Sequence, residues 1–169
     1  GACSRCYCAP RGPTDAHPRP DTAMGPLAKL RPAVANGGSA TAGKASGIND
    51  GAAIAMLVGG EEAAKRGTAP ITGTVSFATR GVDPAIMGSG PIPASRAALE
   101  KAGWSASDLD LVEANEAFAA QACAVNTDLG WDPAIVNVNG GAIALGHPDG
   151  GAGCRVRGAL LVEMQRRAG

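Results

Sequence analysis

Aromatic side chains are scarce in this chain, with two Phe, two Trp and one Tyr among 169 residues. Alanine and glycine fill their place, and small side chains suit closely packed layers of helix and sheet. Neither sign of charge is in excess, because 15 Lys and Arg balance 15 Asp and Glu. That argues against the general electrostatic footprint of a nucleic-acid binder. No apolar stretch reaches the roughly 20 residues needed to span a bilayer. Residues 1–20 lack the apolar core of a secretory signal, so a protein of the cytoplasm, away from membranes, is expected. The five cysteines are an odd number without that signal, which predicts free thiols. Histidine is rarer still, at two residues.

One of those histidines lies in the most informative stretch, Asn137-Val138-Asn139-Gly140-Gly141-Ala142-Ile143-Ala144-Leu145-Gly146-His147-Pro148-Asp149-Gly150-Gly151. Six glycines fall between positions 140 and 153. Glycine lets backbone or ligand approach without a Cβ in the way. Pro148 biases His147 toward an extended backbone and narrows where its ring can point. The pattern reads as a catalytic imidazole on a rigid loop, with a side chain suited to general-base work near neutral pH. A helix beginning near Gly151 would disfavour the charged ring, whereas Asp149 would favour it.

Elsewhere the chain alternates in an α/β manner. Residues 52–58 form a continuous apolar run expected of a strand buried on both faces. Residues 61–66 predict a short helix with Glu61 facing Lys65 and Glu62 facing Arg66. Residues 71–79 carry the β-branched side chains of a second strand. Helices are predicted at 27–31, at 93–102 and at 116–129, the last with Phe118, Ala122, Val125 and Leu129 on one face. Short strands are expected near 109–113 and at 134–138. A final helix spans 153–168, with Val156, Ala159, Leu160 and Met164 inward. The chain ends directly after that helix, where a further strand is expected, so truncation is the expectation.

Three other segments carry candidate chemistry. Asn115-Glu116-Ala117-Phe118 sits where a strand end meets a helix start, the place where open α/β sheets bind ligands. Helix capping by Asn115 and a favourable dipole position for Glu116 explain them equally well. The turn-rich loop 41–51 could cradle a phosphate-bearing ligand, although it lacks the spacing of a P-loop. Cys3, Cys6 and Cys8 with His17 offer a weak metal set; a disordered or foreign leader is the plainer reading. Cys154, at a helix start, and Cys123, inside a helix, are weaker candidates for a nucleophile.

Six motifs in order resemble the thiolase family over residues 21–169. They are Leu27-Ala28-Lys29-Leu30-Arg31-Pro32, Ala45-Ser46-Gly47-Ile48-Asn49-Asp50-Gly51, Gly81-Val82-Asp83-Pro84, Gly90-Pro91-Ile92-Pro93-Ala94-Ser95, Glu113-Ala114-Asn115-Glu116-Ala117-Phe118-Ala119, and the run from Asn139 to Gly150. The likeness is greatest to the biosynthetic branch of the family, which supplies acetoacetyl-CoA for polyhydroxybutyrate. It implies a layered α-β-α thiolase fold. Residues 1–20 are left without assignment, 21–47 are the end of a coenzyme A-binding loop domain, and 48–169 are a truncated C-terminal domain. It implies ping-pong acyl transfer from acetyl-CoA to give acetoacetyl-CoA, with no metal and no cofactor beyond the coenzyme A thioester itself, in a homotetramer.

The family's roles fall on particular residues. His147 is implied to activate a nucleophilic cysteine and to help form an oxyanion hole. Asn115 is implied to hold the water of that hole. Ser46, with Ala42 and Gly47 beside it, is implied to contact coenzyme A, and Ala117 and Phe118 to line the pantetheine tunnel. Both cysteines of the family's chemistry lie in segments this sequence does not contain, so the isolated chain is expected not to turn over. Lys44, Asp149, Ala152 and Cys154 depart from the family pattern, and Asp149 stands close enough to His147 to misplace or charge the ring. A degradative 3-ketoacyl-CoA thiolase and an inactive coenzyme A-binding fragment are the alternatives.

Overall fold

The computed structural model describes residue 15 and residues 17–168. Cys3, Cys6 and Cys8 therefore lie outside the described residues. Among those described are six α-helices: α1 (Met24–Ala28), α2 (Gly60–Lys65), α3 (Pro91–Ala102), α4 (Ala119–Leu129), α5 (Ala142–Leu145) and α6 (Ala152–Ala168). Short 3-10 turns at Pro84–Ser89, Ala106–Asp108 and Pro133–Ile135 lie between them.

Helix ends follow local chemistry. Proline stands in the first turn of α3, where a missing N–H costs nothing. Gly103 and Gly130 end α3 and α4 at φ 70° and 65°. The following residues close both ends in the same way, with Trp104 N donating to Leu99 O at 3.0 Å and Trp131 N to Asn126 O at 3.1 Å. In α2, Glu62 pairs with Arg66 at 2.5 Å across one exposed turn, a contact worth about 0.3–0.5 kcal/mol.

Helices α3 and α4 pack together, with an Arg96–Asp128 ion pair at their rim. Ala97, Leu111, Val112, Val125, Leu129 and Ala142 are buried, Val125 most completely among the larger side chains. Two short segments run parallel beside this core. Val112 N donates to Ile135 O at 2.9 Å, and Asn137 N to Val112 O at 2.8 Å. These are the segments expected as strands near 109–113 and at 134–138, reduced here to one bridge.

Several expectations need correction. Among the described residues, 52–58 and 71–79 form no strand ladder. Ile54 and Met56 are 98% and 94% exposed, because no neighbouring strand among the described residues takes up their backbone groups. The 71–79 segment instead leans on α3, where Ser76 Oγ donates to Ala98 O at 2.6 Å and Lys101 Nζ to Phe77 O at 3.1 Å. The helix expected from 116 starts at Ala119, and its N-cap is Phe118. Residues 44–46 pair antiparallel with 117–119, which keeps that stretch extended and delays the helix. On α6 the buried residue is Glu163, while Met164 is exposed. Val156, Ala159 and Leu160 are half-buried as expected, and Glu163 rather than Met164 completes their face.

Candidate active site

The site is assembled where residues 44–49 and 112–119 meet the glycine-rich loop. Residues 44–46 pair with 117–119: Ser46 N donates to Ala117 O at 3.0 Å, Ala119 N to Lys44 O at 2.9 Å, and Ser46 Oγ reaches the same Ala117 carbonyl at 3.2 Å. The chain then runs parallel to the loop at the Ile48–His147 bridge. There Asn49 Oδ1 accepts from His147 N at 3.0 Å, and Asn49 N donates to His147 O at 3.4 Å. Both ends of the His147 peptide are thereby held. Gly146, with φ 100°, passes so close that a Cβ would come within 2.6 Å of Asn49 Oδ1.

Carboxylate and amide side chains clamp the other end of the loop. Asn137 takes a positive φ of 48°, a conformation asparagine tolerates better than most residues. Its side chain completes the edge of the 112–114 segment, accepting from Ala114 N at 2.8 Å and donating to Ala114 O at 2.9 Å. It also donates to Glu116 Oε1 at 2.9 Å, while Glu116 Oε2 accepts from Ile143 N at 3.2 Å. Glu116 thus ties the end of one segment to the start of α5. A Cβ at Gly141 would land on the Glu116 carboxyl group, which would have to move aside.

Within this frame Asn115 Nδ2 lies 3.3 Å from His147 Nε2. The two residues are 32 positions apart in sequence and both half-buried. Asn115 is not a helix cap, since α4 begins four residues later. Asp149 Oδ1 lies 3.0 Å from the same Nε2. Behind Asn115, burial pushes the Glu113 carboxyl above its ordinary range; Arg155 opposes this and Glu116 adds to it. At the far end of the loop, Asn139 Nδ2 donates to Glu163 Oε2 at 2.9 Å. Arg166, Asn139 and Arg167 together hold the Glu163 carboxyl down at about 2.

The expected residues meet unequally. His147 meets Asn115, and Ser46 meets Ala117. Phe118 bridges to Ala45 and is 42% exposed, and Gly47 continues the segment that leads to Asn49. Ala42 is exposed, beside a recess of about 290 Å³ whose lining includes Leu27, Thr41, Gly43 and Lys44. Among the described residues, no hydrogen bond joins Cys123 or Cys154 to His147, and no group of His, Cys, Asp and Glu could hold a metal ion. No helix among them is long and apolar enough to cross a membrane.

Asn49 sits inside the 45–51 motif, but nothing in its sequence surroundings marks it as a partner of His147. His17, expected at most as a metal ligand, instead bonds Ile143 O through Nε2 at 3.1 Å across 126 residues. No local pattern marks such a contact.

Comparisons with known proteins agree with one another. The family model for the thiolase C-terminal domain matches residues 68–169, and that for the thiolase N-terminal domain matches 12–61. The second match begins inside the stretch left without assignment. The chain is 65% identical over 153 residues to an acetyl-CoA acetyltransferase of Rhizobium meliloti, covering 90% of this chain and 39% of that protein. Among solved structures it is similar to the acetyl-CoA acetyltransferase of Bacillus anthracis, with TM-score 0.88 and 49% identity over 91% of this chain and 39% of the other. It is also similar to human mitochondrial 3-ketoacyl-CoA thiolase in complex with CoA, with TM-score 0.83 and 43% identity over 92% of this chain and 39% of the other. The path of the chain is thus that of a layered α/β fold, including the extended segments that form no ladder here. The chain spans about two fifths of the length of these relatives.

Proposed function

The chain belongs to the thiolase family, and from that premise we propose that it supplies the imidazole and amide side of a site that condenses two acetyl-CoA molecules to acetoacetyl-CoA. This is the activity of an acetyl-CoA C-acetyltransferase. The observation that carries the reading is the contact of Asn115 Nδ2 with His147 Nε2 at 3.3 Å, on a loop whose backbone is held from both sides.

The chemistry suits these groups. A ring nitrogen of His147 takes the proton of a thiol, and the thiolate attacks the thioester carbonyl of acetyl-CoA. A tetrahedral oxyanion forms, for which ring N–H and amide donors provide preorganised stabilisation. Its collapse breaks the bond to coenzyme A, whose thiolate leaves with the proton. A second acetyl-CoA then gives an α-proton to a second cysteine thiolate of the site, and its carbanion attacks the acyl thioester, forming the new C–C bond and releasing the first cysteine as its thiolate. The thiols for both steps come from outside this sequence in this reading. Ser46, Gly47 and Ala42 contact coenzyme A, and Ala117 and Phe118 border the pantetheine. Coenzyme A enters as substrate, with no metal or other cofactor. The reading extends to a homotetramer acting in the cytoplasm.

A degradative 3-ketoacyl-CoA thiolase is the second reading, supported by 43% identity to the human enzyme. The 65% identity to a bacterial acetyltransferase weighs for the first. The test is a graft in which this chain replaces the matching stretch of the Rhizobium meliloti protein. The graft is expected to form acetoacetyl-CoA from acetyl-CoA. A graft that unfolds like its parent but accepts only long 3-ketoacyl thioesters, or none, contradicts the proposal.

A further inference from the structure

We propose that Asp149 is a built-in occupant of the donor site at His147, its carboxylate taking the Nε2–H hydrogen bond that an acyl oxygen needs. The inference rests on the acyl-transfer reading of that site and adds a regulation to it.

The hydrogen-bond inventory around the ring is uneven. Among the described residues Nε2 has two polar neighbours, Asp149 Oδ1 at 3.0 Å and Asn115 Nδ2 at 3.3 Å. Among the described residues, Nδ1 is buried without a partner, and so is Asn115 Oδ1. A carboxylate only accepts, so its presence on Nε2 calls for a proton there. An amide nitrogen only donates, so Asn115 Nδ2 cannot bond the same N–H. The two neighbours therefore demand opposite tautomers, and the shorter, charge-assisted contact decides in favour of Nε2–H. Asp149 is joined to His147 through Pro148 alone, and its side chain is 74% exposed against 20% for the ring. It can swing into water, and the N–H it releases is then free for a thioester oxygen. Because the pair is open to solvent, displacement lowers acyl binding by only about fivefold.

Two measurements test this. Long-range 15N spectra, with the two histidines assigned through His17→Gln, report the tautomer of His147. Nε2–H is expected in the wild type, loss of that preference in Asp149→Ala, and its return in Asp149→Glu. Titration with acetoacetyl-CoA and with free coenzyme A, which has no acyl oxygen, reports occupancy. Asp149→Ala is expected to tighten acetoacetyl-CoA about fivefold and to leave coenzyme A unchanged. An unaltered tautomer in Asp149→Ala, or an equal gain for both ligands, overturns the inference. If neither ligand binds any variant, the acyl-transfer reading fails, and the occupant role with it. The spectra still decide separately whether Asp149 sets the tautomer.

Discussion

Replacing Gly141 by Ala isolates the clamp that carries the histidine loop. The backbone there has φ −105°, which alanine adopts without strain, so the substitution acts through space alone. By the usual entropic argument it would stabilise the chain by about 0.4–1 kcal/mol. The new methyl, however, falls on the Glu116 carboxyl, which must leave its bonds to Asn137 Nδ2 and Ile143 N. Hydrogen bonds to a charged group contribute about 1.5–3 kcal/mol each. Glu116 is half-buried and regains water when displaced, so the net loss is about 2–3 kcal/mol rather than the full sum. For a chain of this size that corresponds to a fall in Tm of about 5–10 °C. Urea unfolding followed by circular dichroism measures it, and a double-mutant cycle identifies the cause. In a Glu116→Ala background the obstacle is gone, so Gly141→Ala should be neutral or stabilising by about 0.5 kcal/mol. Equal costs in both backgrounds would refute the clamp.

Two further outcomes follow from the same geometry. Asn49→Ala removes the acceptor of His147 N, and the graft should lose about tenfold in kcat with little change in KM for acetyl-CoA; steady-state kinetics separate the two. Glu163 sits well below its ordinary 4.5, at about 2, so its contribution to stability is complete above pH 4.5 and disappears as pH falls toward 2. The Tm gap between wild type and Glu163→Gln should therefore be widest at neutral pH and close across that window.

What was legible in the sequence was what local chemistry decides. Glycine with positive φ after α3 and α4 and proline at the start of α3 placed those helices within a few residues. The glycine-rich run marked the loop that holds His147, because close approach at Gly141 and Gly146 needs a missing side chain. The failures share one cause. An apolar run such as 52–58 describes a composition, but a strand exists only where a neighbour takes its backbone groups. The start of α4 was misplaced because the pairing of Ala45 with Phe118 overrode the capping propensity of Asn115. Glu163 has its i+3 and i+4 arginines in plain view in the sequence. Its third partner, Asn139, lies 24 residues away, and the helical pattern pointed to Met164. The grip of Asn49 on His147, across 98 residues, has no local signature at all.

The most direct test of the acyl-transfer account is the kcat/KM of the graft with His147→Ala against the graft with His147 intact. Removing the proton acceptor and oxyanion donor together should lower acetoacetyl-CoA formation by about 10²–10⁴, with unfolding transitions that coincide. A folded His147→Ala graft that keeps the rate within a few-fold would show that the imidazole takes no part in the chemistry.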